Sequence, residues 1–131
     1  MASMPLRVFL LEDSAVIRES LAEAINASGL FIVAGTADTA SDAVALLKEQ
    51  AFDAIIVDLQ LRQGSGIDVL TYLRGAGLHQ RMLSIVLTNY ALPALRQRCL
   101  DCGAGYFFDK SLEFDRVIEV LDDFAERRLH R

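Results

Sequence analysis

The chain is predicted to be an α/β protein: a doubly wound, five-stranded parallel sheet with helices on both faces. Three observations predict it. Short apolar runs alternate with longer amphipathic stretches five times along the sequence. The connections between them are short. The most apolar run, residues 54–58 (AIIVD), lacks polar alternation, as a parallel strand buried on both faces should. Right-handed crossovers then place helices above and below the sheet.

Taken in order, residues 7–11 (RVFLL) read as the first strand. Residues 14–28 follow as a helix, with Val16, Ile17, Leu21, Ala24 and Ile25 at helical spacing and Gly29 after its end. Residues 31–36 are the second strand. Thr39 and Asp42 have the spacing of a capping box before the helical run 40–50, which carries Ala43, Leu46 and Leu47. After the strand 54–58, residues 66–74 are helical with Ile67, Leu70 and Leu73 on one face, broken by Gly75 and Gly77. Residues 83–88 are the fourth strand. Pro93 suits the first turn of a helix running to Cys102. Residues 106–109 are the fifth strand, and residues 113–128 the last helix, with Phe114, Val117, Ile118, Leu121 and Phe124 inward.

Composition bounds what such a fold can do. The 131 residues suffice for one domain, and 53% hydrophobic residues suffice for one core. A net charge of −5 argues against a nucleic-acid binder, which needs a basic face. Without a signal-peptide pattern or a bilayer-length apolar run, a soluble, cytoplasmic protein without a membrane partner is expected. Cys99 and Cys102 form a Cys-x-x-Cys pair, but they close a helix before Gly103 instead of opening one. Two small thiols in a reducing compartment are therefore expected, not a redox centre. His79 and His130 carry no mark of a ligand. The basic end with Arg127, Arg128 and Arg131 reads as a solvated helix terminus that suits the negative end of the helix dipole.

In a doubly wound sheet, ligands bind at the carboxyl ends of the strands. There the sequence puts Glu12 and Asp13 after the first strand, Asp58 at the end of the third, Thr88 at the end of the fourth, and Asp109 and Lys110 at the end of the fifth. Clustered carboxylates repel: two unit charges ~4 Å apart cost about 4 kcal/mol at an effective dielectric near 20. A cation among them relieves this, and hard oxygen ligands suit Mg²⁺ (or Mn²⁺). A metal with a lysine and a hydroxyl beside it is suited to phosphoryl transfer.

At these positions the sequence resembles the response-regulator receiver family of two-component signalling. The motifs are "VFLLEDS", "AIIVDLQL…GSGIDVL", "IVLTNY" and "GAGYFFDKS", and the likeness runs from about residue 6 to about residue 129. It implies a CheY-like, flavodoxin-like sheet of strand order 2-1-3-4-5, and a single receiver domain over 1–131 with a core of about 6–128 and no output domain. It implies that Asp58 is the phosphoacceptor and receives its phosphoryl group from a sensor histidine kinase or a histidine phosphotransfer protein. Glu12, Asp13, Asp58 and the backbone carbonyl of Gln60 would hold the metal. Lys110 would pair with Asp58 and then with a phosphoryl oxygen, Thr88 would turn to another, and Phe107 or its neighbour Tyr106 would move inward behind it. Gln60 and Tyr90 would tune the lifetime of the acyl phosphate. The output would pass to a downstream protein target or a fused output domain; dimerisation is left open.

The sequence departs from the family pattern at three places. Ser111 follows Lys110 where proline is common, so a different loop shape is expected. Arg62 stands where proline often follows the acceptor strand, so a more mobile loop is expected. Asn89 follows Thr88 where a small residue is usual, and should narrow access to Asp58. Two other classes compete. An aspartate-nucleophile phosphohydrolase would carry a second aspartate two residues after the nucleophile, where Gln60 stands. An interaction module that is never phosphorylated would usually lack one of the acids or the lysine, and all are present. Each residue also has a plain structural alternative, such as Asp13 simply capping the first helix. The expectation is a switch that catalyses only its own phosphorylation and dephosphorylation.

Overall fold

The structure, a computed structural model, describes residues 4–129; His130 and Arg131 lie outside them. Five strands and five helices alternate: β1 (Leu6–Leu11), α1 (Ala15–Ala27), β2 (Phe31–Ala37), α2 (Ala40–Glu49), β3 (Ala54–Val57), α3 (Gly66–Gly75), β4 (Leu83–Thr88), α4 (Pro93–Asp101), β5 (Tyr106–Asp109) and α5 (Phe114–Leu129). The strands form one parallel sheet of order β2-β1-β3-β4-β5, as expected. A single 3-10 turn at Leu78–Gln80, absent from the sequence reading, joins α3 to β4.

The period-two alternation of strands builds two cores. Phe9, Leu11, Ile55, Val57, Val86 and Phe107 point to the face covered by α2, α3 and α4. Val8, Leu10, Ile56, Ile85, Leu87 and Phe108 point to the face covered by α1 and α5. All four residues of β3 are buried, which is why this segment shows no polar alternation.

Local chemistry sets the helix ends. The Ser14 hydroxyl caps α1 by accepting from the Ile17 amide at 3.3 Å, so the alternative in which Asp13 is the cap does not hold. Thr39 accepts from the Asp42 amide at 3.2 Å and caps α2. A reciprocal capping box, unforeseen although its S-x-x-D spacing is legible, forms between Ser65 and Asp68 at the start of α3. The α4 helix stops at Cys102, and Gly103 leaves it with φ 97°, a conformation that favours glycine.

Two helix faces differ from expectation. Val16 is 74% exposed, because α1 seats itself through Leu21 and Ile25. Along α5 the fully buried line is Val117, Leu121 and Ala125, while Phe114, Ile118 and Phe124 are half-buried at its margins.

One glycine bears directly on the site. A Cβ on Gly66 would collide with the Asp58 carbonyl oxygen and sit 2.7 Å from Val57 Cγ1 and 2.9 Å from the Leu59 Cα. Only a bare backbone lets α3 start this close to the end of β3. Gly66→Ala is expected to cost about 2 kcal/mol, typical of overpacking, and to lower the melting midpoint by roughly 5 °C, as read in a thermal melt.

Candidate functional site

The parallel register brings the strand ends together. The Asp58 amide donates to the Leu11 carbonyl at 2.9 Å, so the residue after β3 lies beside the residues after β1. The Lys110 amide donates to the Thr88 carbonyl at 2.8 Å, which ties the end of β5 to that of β4. On the far side, the Glu12 amide donates to the Ala37 carbonyl at 3.1 Å.

Three carboxylates meet there. One oxygen each of Glu12, Asp13 and Asp58 lies within 4.8 Å of the others. Glu12 and Asp58 are buried, whereas Asp13 faces solvent. Freed from capping, Asp13 is available as a ligand on the open side. The ammonium of Lys110, itself buried, lies 2.6 Å from Glu12 Oε1 and 3.3 Å from Asp58 Oδ2. The lysine therefore pairs with Asp58, as the resemblance implied, but holds Glu12 more closely.

Titration follows from this placement. Burial pushes the Asp58 carboxyl up to about 7; the Gln60 amide, donating to Oδ1 at 3.1 Å, opposes this, and the Glu12 charge adds to it. Burial would also raise Glu12, but bonds from Lys110 and from the Ser14 amide (3.0 Å to Oε2) outweigh it and hold its carboxyl below the ordinary range. Desolvation would lower Lys110, yet the two carboxylates raise it instead. The resting site thus carries an ionised Glu12–Lys110 pair next to Asp58, a carboxyl that lacks enough positive charge.

These residues fit a divalent cation. The donors are all oxygen, and charge on Asp58 is the one the site tolerates least. Counting one ammonium against three carboxylates leaves a charge of about −2, which one divalent ion balances.

The other predicted residues fall around this cluster. Thr88 is fully buried, its hydroxyl accepting from the Tyr90 amide at 3.1 Å. Phe107 pairs with Val86 and Asp109 with Thr88 in the β4–β5 register, so Phe107 lies on the Thr88 face, buried one step behind it. Tyr106 lies on the opposite face, stacked on Phe108 at 5.9 Å between ring centroids. Gln60 and Tyr90 are exposed at the rim. Asp109 turns away from the cluster and accepts from Ser111 N (2.8 Å), Ser111 Oγ (2.7 Å) and Leu112 N (3.1 Å). That network shapes the loop after Lys110 without proline.

One expectation from the departures needs correction. The loop after Asp58 is pinned, not loose: Arg62 grips the Asp38 carboxylate at 3.2 and 3.3 Å, and Ala40 N donates to the Gln63 carbonyl at 3.0 Å. Asn89 is exposed next to Thr88, outside the buried cluster. The cysteines behave as expected: Cys99 is buried and its thiol is pushed up to about 11, chiefly by desolvation. The sequence reading missed Arg18, whose guanidinium donates to the Glu12 carbonyl at 2.8 Å and steadies the acid-bearing turn; an arginine one turn into a helix carries no legible signal for that role.

A family model described as the response regulator receiver domain matches residues 8–122. The transcriptional regulatory protein PdtaR of Mycobacterium tuberculosis is 30% identical over 121 residues, covering 92% of this chain and 57% of its own length. The Bordetella pertussis regulator BvgA is 28% identical over 114 residues, covering 87% of this chain and 53% of its own. The chain thus spans little more than half the length of these curated relatives. Among solved structures, the signal receiver domain of a NarL regulator from M. tuberculosis superposes with a TM-score of 0.84 at 24% identity, covering 95% of this chain and 98% of that one. The response regulator domain of Thermotoga maritima CheB gives 0.79 at 24% identity, covering 98% of each. These two likenesses establish the fold, and the match to the family model establishes the family: the chain belongs to the response regulator receiver domains of two-component systems.

Proposed function

We propose that the chain is a phosphoacceptor switch: Asp58 takes a phosphoryl group from a phosphohistidine on a histidine kinase or phosphotransfer protein, in a Mg²⁺-dependent reaction. The observation that carries this reading is the convergence of Asp58, Asp13, Glu12 and Lys110 at one sheet edge, with Asp58 short of positive charge.

A carboxylate oxygen of Asp58 attacks phosphorus as the P–N bond breaks, and the bonding pair leaves with the imidazole nitrogen. Glu12, Asp13 and Asp58 would hold the metal, with the backbone carbonyl of Gln60 as a further ligand, its amide already bonded to Asp58. When bound, the ion supplies charge neutralisation on the transferred oxygens. Lys110 does the same from the opposite side. It turns from Asp58 toward a phosphoryl oxygen, while Thr88 gives up the Tyr90 amide and donates its hydroxyl proton to another. The space it leaves is adjacent to Phe107, whose burial then follows the state of Thr88. The phosphoryl group shifts the equilibrium only by binding the active arrangement better. Gln60 and Tyr90, at the rim, tune hydrolysis.

A protein donor fits the surroundings. Val16, Tyr90, Leu92 and Leu112 are exposed apolar residues on loops and helix starts at this same edge, four of the six large apolar residues left exposed among the described residues. Such a rim suits an apolar protein surface around the histidine. The domain reading is a single receiver unit; its output, through protein contacts or a fused domain, belongs to this proposal.

Three outcomes are expected. With a small acyl phosphate donor and Mg²⁺, intact mass rises by one phosphoryl group, and Asp58→Asn shows no gain; an unmodified wild-type chain refutes the reading. In the absence of divalent ions, the folded state holds a proton on Asp58 up to about pH 7, so this group's contribution to stability falls as pH rises from about 4 to about 7. At pH 8, Asp58→Asn should therefore melt about 3 °C or more above wild type, and Mg²⁺ should close the gap by stabilising only wild type. Thr88→Ala should accept phosphate at a similar level yet lose the phosphorylation-dependent shifts at Phe107 in an NMR spectrum; unchanged shifts would break the coupling.

A further inference from the structure

The closest charged contact in the site is not the one between the lysine and the phosphoacceptor. Lys110 Nζ lies 2.6 Å from Glu12 Oε1 and 3.3 Å from Asp58 Oδ2. The other Glu12 oxygen accepts from the Ser14 amide at 3.0 Å, and its backbone carbonyl accepts from Arg18 at 2.8 Å. Glu12 is only 1% exposed. Both of its oxygens are therefore already engaged, and its position is held from three sides. Asp13, by contrast, is exposed, and its carboxylate makes no hydrogen bond among the described residues.

We propose that Glu12 is the positioning residue for Lys110, drawing the ammonium toward itself within reach of Asp58 and aimed at the incoming phosphoryl group, while Asp13 and Asp58 carry the metal. This refines the phosphoacceptor reading and rests on it.

The physical reason is competition for one cation. Lys110 is long and flexible, and a bare ammonium facing one carboxylate would settle on it. Settled on Asp58, it would occupy the nucleophile's oxygen. A second carboxylate at shorter range draws it aside without removing it from the site. A glutamate suits this task because its longer stem lets the carboxylate reach across to the end of β5 while its backbone stays in the β1–α1 turn. The pair is shielded from water, so its attraction is only weakly screened by salt.

The two roles open to Glu12 separate kinetically. A metal ligand sets the Mg²⁺ concentration needed, and its loss is overcome by saturating Mg²⁺. A lysine-positioning residue sets the maximal rate, and its loss is not. Phosphorylation by a small acyl phosphate, followed by Tyr fluorescence or intact mass across a Mg²⁺ series, reads both.

Glu12→Gln keeps the shape of the side chain and removes its charge. The expected result is a fall of about tenfold in the rate at saturating Mg²⁺. Mg²⁺ affinity, measured by calorimetry without phosphodonor, should fall much less than in Asp13→Asn. In a Lys110→Met background the further substitution Glu12→Gln should change the saturated rate by less than twofold, because there is no ammonium left to aim. Full recovery of the Glu12→Gln rate at high Mg²⁺, or an equal tenfold loss with Lys110 already removed, overturns the proposal. Should Glu12→Gln not fold, as judged by its thermal melt, Glu12→Asp serves: it keeps the charge but shortens the reach by about one C–C bond, ~1.5 Å, and the same loss at saturating Mg²⁺ is expected. Failure of wild type to take phosphate at Asp58 would instead remove the underlying reading, and is seen in the same mass measurement.

Discussion

Three carboxylates and one ammonium share a small, mostly water-excluded volume at the end of a parallel sheet, and that constraint governs the rest of the site. Removing charge from water costs several kcal/mol per ion unless partners compensate. Here Lys110 compensates Glu12 best, and Asp58 is left with its proton affinity raised. The fold therefore holds Asp58 in a state that invites a cation. A structure-stabilising cluster would have matched each charge; this one leaves a deficit at Asp58, as functional sites commonly do.

The scaffold makes that deficit sustainable. Both faces of β3 are sealed, so Asp58 follows directly on a rigid, fully buried strand. Gly66 lets α3 begin against the carbonyl of Asp58, and the Ser65–Asp68 box fixes that start. Arg62 and Asp38 link the next loop to the start of α2. Exposed ion pairs of this kind contribute little to stability, about 1 kcal/mol or less, but two nearly parallel bonds restrict geometry. The strand ends are thus precise where the carboxylates sit. Four of the six large apolar side chains left exposed among the described residues, Val16, Tyr90, Leu92 and Leu112, lie around this same edge.

Burial also assigns the two neighbouring aromatic residues. Tyr106 and Phe107 are adjacent in sequence and indistinguishable by composition, but a strand turns successive side chains to opposite faces. Phe107 comes to lie behind Thr88, and Tyr106 on the α5 side. A hydroxyl is therefore absent from the aromatic behind Thr88, and Phe107 is held there by packing in the core shared with Val86 and α4.

Much of this was legible in the sequence by itself. Apolar periodicity located all ten elements within a residue or two, because burial on two faces or on one stripe leaves a pattern that local side chains must obey. The order of acids, hydroxyl and lysine at the strand ends followed, since a parallel α/β sheet places every strand's carboxyl end on one edge. Tertiary structure alone decided who pairs with whom. That Lys110 grips Glu12 more tightly than Asp58 and that Val16 faces water depend on distances between segments far apart in the chain or on helix rotation, while the Ser14 cap and the Arg18 brace are local bonds within six residues. Periodicity carries no record of either, because charge pairing falls off over a few ångströms that only the packed chain defines.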